Sequence, residues 1–320
     1  MLWESLPQIP YWQALPIKTQ LYSHLTSDCQ SHRKETIMSQ SPVLLVTGAS
    51  KGIGLEIVLT ALDQGYTVVG TSRNAQKLEE AVTAARPQLT EHFTAVSMTF
   101  DEASIKETVA GIIERFGRID VLVNNAGFAV LGALEEFSMD EVKANFDVNV
   151  FGLLAVMQAI LPQMRAQRSG HIINLASISG TVTGPAQSIY SATKASVIMM
   201  SEALADEAAP FNIQVTAICP GGVRTDFLDA SSMRRPDKHI ADYDVVHRTM
   251  EGLGRLNHNQ SGDPKRVAQA ILSVAAMAKA PRRLYLNSGA VAGLQHKIEE
   301  VVTEANQYMD LSLSTDSPQG

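Results

Sequence analysis

From Val43 onward two periodicities alternate along this chain, and the alternation limits its fold more than any single motif. Short apolar runs rich in β-branched residues at 43–47, 66–71, 94–99, 120–123, 171–176, 213–218 and 283–287 read as strands buried on both faces. Between them lie segments of helical spacing at 53–64, 74–86, 102–116, 138–168, 187–209 and 264–278. A strand, a helix and another strand close as a right-handed crossover. The pattern therefore predicts an α/β fold built on one doubly wound parallel sheet. In such a sheet the functional loops gather at the carboxyl ends of the strands.

The first strand runs directly into Thr47-Gly48-Ala49-Ser50-Lys51-Gly52-Ile53-Gly54 and then into a helical pattern. Glycines there allow a tight turn and close approach of the backbone to a pyrophosphate, which the helix N-terminus then faces. Gly48, Ser50, Lys51, Gly52, Ile53 and Gly54 are thus candidate dinucleotide contacts. The second strand ends Gly70-Thr71-Ser72-Arg73-Asn74, with no carboxylate to accept bonds from ribose hydroxyls. Arg73 and Lys51 could instead neutralise a 2′-phosphate, with Ser72 donating to it, and this favours NADP(H). The plainer alternative is two solvated surface cations.

A second centre lies at 174–196, NLASISGTVTGPAQSIYSATKAS. Tyr190 and Lys194 stand four positions apart, so on a helix they share one face. An ammonium fixed beside a phenol favours the phenolate and makes it an acid or base below its free pKa of about 10. Ser177 precedes the tyrosine by thirteen residues, and its hydroxyl could hold the oxygen whose proton moves.

Together these stretches resemble the short-chain dehydrogenase/reductase family. The resemblance rests on TGASKGIG at 47–54, NNAG at 124–127, the asparagine of NVFG at 149–152, Ser177, Tyr190, Lys194 and PGGVRT at 220–225, in the family's order. It covers about residues 42–290 and implies a single Rossmann-fold domain with a small substrate lid at about 223–262. It also implies roles. Asp101 would contact adenine, or cap the helix at 102–116, or both. Asn125, Ala126 and Gly127 would lie beside the nucleotide ribose, and Pro220, Gly221, Val223 and Thr225 against the nicotinamide. Asn149 would hold a water linking Lys194 to solvent, unless it is only a buried amide in a kinked helix. Tyr190 would give its proton to substrate oxygen, Ser177 would bond that oxygen, and Lys194 would lower the tyrosine pKa and hold the ribose. The implied reaction is hydride transfer between a carbonyl and an alcohol, with no metal.

The candidate pocket residues Phe128, Ala129, Val130, Ile178, Thr181, Val182, Pro185, Phe227 and Leu228 are largely apolar and suggest a lipophilic ketone, aldehyde or secondary alcohol. Two alternatives are a catalytically silent NADP(H)-binding regulator and an acyl-carrier 3-ketoreductase. A third is a scaffold whose glycine turn only serves packing. A net charge of -7 argues against a nucleic-acid partner, and Cys29 and Cys219 offer no disulfide framework, so a cytoplasmic location is expected. Cys219 ends an apolar run and reads as a small buried thiol. No run of eighteen apolar residues points to a membrane. Residues 1–41 read as a leader outside the folded domain, disordered or upstream of a natural start at Met38. The tail at 291–310 is an amphipathic helix for packing on the core or another subunit, and 311–320 a disordered end. Arg234, Arg235, Lys238 and His239 form a basic patch that reads as a solvated face. Apolar faces of the helices at 138–168 and 187–209 resemble the family's dimer or tetramer contact, so a homodimer or homotetramer is expected.

Overall fold

The computed structural model describes residues 41–317. The leader expected over residues 1–41 falls outside them apart from Ser41. Strands β1 (Val43–Val46), β2 (Thr67–Ser72) and β3 (Phe93–Ser97) alternate with helices α1 (Gly52–Asp63), α2 (Ala75–Ala85) and α3 (Glu102–Phe116). The chain continues through β4 (Val121–Asn124), β5 (Ala129–Val130), α4 (Met139–Phe146), α5 (Leu153–Gln167), β6 (Gly170–Leu175), α6 (Ser188–Ala208) and β7 (Ile213–Pro220). It closes with β8 (Met233–Arg234), α7 (Asp244–Leu256), α8 (Pro264–Ala275), β9 (Arg283–Leu286), α9 (Ser288–Gln307) and α10 (Met309–Leu313).

Seven strands form one parallel sheet in the order β3-β2-β1-β4-β6-β7-β9, the expected doubly wound α/β arrangement. From β1 the chain winds outward to β3, then returns to place β4 on the other side of β1. That reversal opens a crevice at the carboxyl ends of β1 and β4. The strands are mostly apolar because both faces of the sheet are covered. Leu44, Val46, Val123 and Ile173 face α1 and α8, while their neighbours Leu45, Leu122 and Ile172 face α3, α5 and α6.

The helix expected at 138–168 is two helices, α4 and α5, joined by a π-helical turn at Asp147–Gly152. Gly152 lies so close to Phe100 that a Cβ there would fall 2.4 Å from its ring. Among the described residues, Met139–Gln167 is the one stretch long and apolar enough to cross a membrane. Here its apolar face (Leu153, Val156, Met157, Ile160, Met164) packs into the core.

The segment 226–262, which shows little periodicity in sequence, is more ordered than its composition suggests. It contains β8, which pairs with β5, and helix α7. Val246 and Met250 of α7 are buried against Ala129, Leu131 and the ring of Tyr190. The tail forms the expected helix and departs from expectation only at its end. In α9 only Ala290 is buried, while Val291, Ile298, Val301 and Val302 stay exposed, so most of its apolar stripe does not pack on the core. Helix α10 occupies part of the stretch expected to be a disordered end.

A polar thread crosses the sheet interior. Asn124 Nδ2 donates to Asn174 Oδ1 at 2.9 Å, and Asn174 Nδ2 donates to Ser201 Oγ at 2.9 Å, all three residues being buried. Asn174→Ala strands the amide of Asn124 and should cost about 2–3 kcal/mol of unfolding free energy, read by urea denaturation.

Candidate active site

Two backbone turns meet at the crevice, and the glycines there have different tasks. Asn125 Nδ2 donates to the carbonyls of Thr47 and Gly48 at 3.0 and 2.9 Å, and Thr47 Oγ1 accepts from the N–H groups of Asn125 and Ala126. This clamp presses the loop after β4 onto the turn after β1. Gly48 has φ +65, and a Cβ there would stand 2.8 Å from the Ala126 Cα. At Gly54 a Cβ would meet Asn125 Nδ2 at 2.4 Å. Gly54 thus serves internal packing and does not line the cleft, contrary to the expected cofactor contact. Gly52 is different: its φ is +56, and its added Cβ would meet only Thr225 at 3.5 Å, leaving its face open to the cleft.

The cleft encloses about 560 Å³ and is lined by Gly48, Ser50, Lys51, Gly52, Ile53, Ser72, Arg73, Asn125, Ala126, Gly127, Ser177, Tyr190, Lys194, Pro220, Gly221, Val223 and Thr225. One concavity therefore gathers the glycine turn, the end of β2 and the Ser-Tyr-Lys set. A dinucleotide fits it. The helix N-terminus and the open side of Gly52 could hold phosphate, and Gly127 leaves space that a Cβ, 3.0 Å from Asn149 Oδ1 and 3.6 Å from Lys194 Nζ, would fill.

Two expected contacts are placed differently. Asp101 does not line the cleft. It caps α3, accepting from Ser104 N at 2.9 Å and from Thr99 Oγ1, while Met98, Thr99 and Phe100 form the wall there. Ser72 lies on the cleft, but its hydroxyl donates to Asn74 O at 2.7 Å and accepts from Asn74 N at 2.9 Å, so it serves the turn before α2. Arg73 and Lys51 remain as the cations at this end, Lys51 reaching Ser231 Oγ of the lid.

At the floor, β6 delivers Ser177 and one face of α6 delivers Tyr190 and Lys194. Tyr190 lines the same cleft as Ser177 and packs against Phe227 with ring centroids 5.9 Å apart. Lys194 Nζ donates to Leu175 O at 2.7 Å and stands 5.9 Å from the tyrosine ring. Both side chains are buried. Burial pushes the Tyr190 pKa up, with Ser177 offsetting part of the rise, and pulls the Lys194 pKa down to about 8. The expectation that the lysine depresses the tyrosine pKa does not hold in this arrangement: desolvation dominates, and the ammonium is turned to a carbonyl. Cys219 behind them is a buried thiol pushed up to about 12 by desolvation, so it is inert.

Asn149 sits in the π turn and does not line the cleft. Its Nδ2 donates to Phe128 O at 2.9 Å and to Thr193 Oγ1 at 3.1 Å, and its Oδ1 accepts from Phe128 N at 3.0 Å. The amide thus holds the Gly127-Phe128 wall beside Lys194. Of the expected pocket residues, Phe128, Ala129, Ile178, Phe227 and Leu228 line the cleft, whereas Val130, Thr181, Val182 and Pro185 do not. Thr181 turns instead to Tyr285, Oγ1 to OH 2.7 Å. Sequence reasoning missed Leu131, Gln187, Leu253, Leu256 and Gln260, which only the lid's folding brings to the cleft or which no motif marks. Arg234 is exposed, as the reading of a solvated charge expects, and it also lines the cleft with its guanidinium 4.7 Å over the Phe128 ring.

Comparison with known proteins follows the same outline. The family model for short chain dehydrogenase matches residues 42–235. Oxidoreductase BOA17 of Botryotinia fuckeliana is 32% identical over 273 residues, 85% of this chain and 98% of that protein. The 3-ketodihydrosphingosine reductase of Bacteroides thetaiotaomicron is 36% identical, over 76% of this chain and 87% of its own length. Among solved structures, a short-chain dehydrogenase from Streptomyces avermitilis superposes with TM-score 0.79 and 36% identity, over 87% of this chain and all of that one. ElxO with NADP bound superposes with TM-score 0.66 and 25% identity, over 79% of this chain and 100% of its own.

The buried lysine makes stability depend on pH with a defined sign. Its proton leaves near pH 8 in the native state and near 10.5 in the unfolded chain. Between these values the unfolded chain binds more protons, so this site's contribution to stability rises with pH. Urea unfolding of wild type and Lys194→Met at about pH 7 and pH 9.5 should show the difference moving in favour of wild type at the higher pH. A difference that stays flat would mean burial is not shifting this group.

Proposed function

The chain belongs to the short chain dehydrogenase family, oxidoreductases with a nicotinamide cofactor, and from that premise we propose that it interconverts a lipophilic ketone or aldehyde and the corresponding alcohol with NADP(H). The observation that carries this reading is the meeting of Ser177, Tyr190 and Lys194 on the floor of the cleft that also holds the glycine turn. The cofactor choice rests on Arg73 and Lys51 at the end of β2, where no carboxylate stands, and ElxO with NADP bound is a related case. The substrate class rests on a wall of Leu131, Phe227, Leu228, Leu253 and Leu256. A relative named for reducing 3-ketodihydrosphingosine supports it.

When bound, the nicotinamide supplies the hydride. The rest falls to this chain's side chains. Tyr190, its pKa raised by burial, is a phenol at neutral pH and so is loaded to give a proton as negative charge grows on a carbonyl oxygen. Ser177 lines the cleft beside that phenol, and one substrate oxygen can accept from both hydroxyls. Lys194, with its pKa near 8, is mostly an ammonium at neutral pH and keeps a positive charge behind the tyrosine. By the family resemblance, the carbonyl region of the π turn at Asn149 would hold a water through which solvent returns a proton to Lys194. This protonation pattern favours carbonyl reduction at neutral pH. Exposed Phe151 and Met199, on the two long helical stretches, support self-association as a dimer or tetramer.

Two measurements test the reading. Tyr190→Phe should lower kcat against a panel of lipophilic carbonyls by about 10²–10⁴ while the Kd for NADPH, followed by fluorescence, stays near the wild-type value. Near-normal turnover would remove the tyrosine from its role. The kcat/KM preference for NADPH over NADH should fall by about tenfold or more in Arg73→Glu, whereas equal use of both cofactors by wild type would overturn the NADP assignment.

A further inference from the structure

Away from the catalytic set, three side chains distant in sequence meet where the lid touches the body of the domain. Glu136 ends the short turn Leu134–Glu136 after β5, His239 lies in the loop before α7, and His247 is in the first turn of α7. The Glu136 side chain is only 4% exposed, yet among the described residues it has no lysine or arginine partner. Its Oε1 accepts from Ile240 N at 2.9 Å and its Oε2 from Ala133 N at 3.0 Å. Oε1 also faces His247 Nε2 at 3.4 Å and His239 Nδ1 at 3.8 Å. The two imidazoles lie over one another with centroids 4.3 Å apart.

These spacings are poor for hydrogen bonds, whose N···O distance is about 2.9 Å. They are close to the edges of a tetrahedral metal site, since bonds of about 2.0–2.1 Å place neighbouring ligand atoms about 3.3–3.4 Å apart. The chemistry agrees. The buried Glu136 carboxylate is held by backbone N–H groups on both oxygens, Ile240 on Oε1 and Ala133 on Oε2. An anionic ligand is thus fixed by backbone donors, in the manner of an outer coordination shell. Ring nitrogens of His247 and His239 face it, and the 71% exposure of the His239 side chain leaves a side open for a water ligand. Glu135, whose Oε2 accepts from Tyr243 OH at 2.8 Å, adds negative charge nearby, while exposed Lys238 reaches only the Glu135 carbonyl.

We propose that Glu136, His239 and His247 bind a divalent transition-metal ion of the zinc class, which clamps lid helix α7 to the turn before α4. Its role is to fix the lid and not to take part in the reaction. Val246, next to His247, and Met250 pack over Tyr190, so a clamp at the start of α7 steadies the wall of the catalytic cleft.

The full chain, stripped by chelator, is titrated with zinc chloride by calorimetry, with thermal unfolding and amide hydrogen exchange in parallel. One equivalent should bind, raise the unfolding temperature and slow exchange over residues 236–250. His239→Ala, a change at an exposed side chain that should not disturb folding, and His247→Ala should each weaken binding by about tenfold or more. His296→Ala, at a histidine outside the cluster, should bind zinc as wild type does. The proposal is overturned by no saturable binding up to about 100 µM zinc. It is equally overturned by binding that survives both histidine changes or that follows Asp229 and His258, the other such grouping. None of these readouts uses turnover, so the catalytic reading stands or falls separately.

Discussion

The site depends on the contact between the turn after β1 and the loop after β4. These strands are neighbours in the sheet but far apart in sequence, and their ends would diverge without a tie. Asn125 supplies it with two hydrogen bonds to successive carbonyls, and Thr47 answers with its hydroxyl. The cost is steric: Gly48 and Gly54 have no room for a methyl group. With the two turns locked, the N-terminus of α1, the wall at Gly127 and the floor at Tyr190 are held around one space. Part of a glycine pattern that looks designed for a ligand is therefore required by the protein's own backbone, and only Gly52 turns an open face to the cleft.

The second constraint is electrostatic. Tyr190 and Lys194 are both buried, and burial moves each toward its neutral form, the tyrosine upward and the lysine downward. The lysine retains its charge at neutral pH by donating to Leu175 O, and the tyrosine retains its proton. Desolvation thus sets the direction of both shifts. The sign follows from desolvation exceeding the pairwise attraction at the observed separation, with the amine 5.9 Å from the ring centre. Sequence spacing can put the two groups on one face of a helix, but it cannot report how dry that face is.

The same distinction explains how much was legible beforehand. The seven strands of the parallel sheet, the helices between most of them and the shared helix face of Tyr190 and Lys194 followed from periodicity and spacing, because local pattern decides them, while joining them with Ser177 in one cleft followed from the family resemblance. Asp101 and Ser72 illustrate the limit. Both have short polar side chains beside a turn, and both are used by the backbone next to them, a competition that a motif does not show. The π turn at Asn149 was hidden because its residues have the same apolar spacing as the α-helices on either side. Helix α7 was overlooked although Val246, Met250 and Leu253 stand at helical spacing, because this short apolar stripe lies inside a long segment of mixed charge.

The lid is where structure adds most to sequence. A segment of mixed charge would ordinarily wander over a cleft, since few apolar contacts hold it. Here the apolar contacts of α7 are concentrated on Tyr190 and its surroundings, and the polar end of the helix is pinned by a buried carboxylate. Glu136 bonds to the backbone of both segments it joins, so removing its charge would free the lid from the body of the domain at one point. The lid helix and Tyr190 consequently share one buried cluster. The residues that govern it lie more than fifty positions from the tyrosine on one side and about as far on the other.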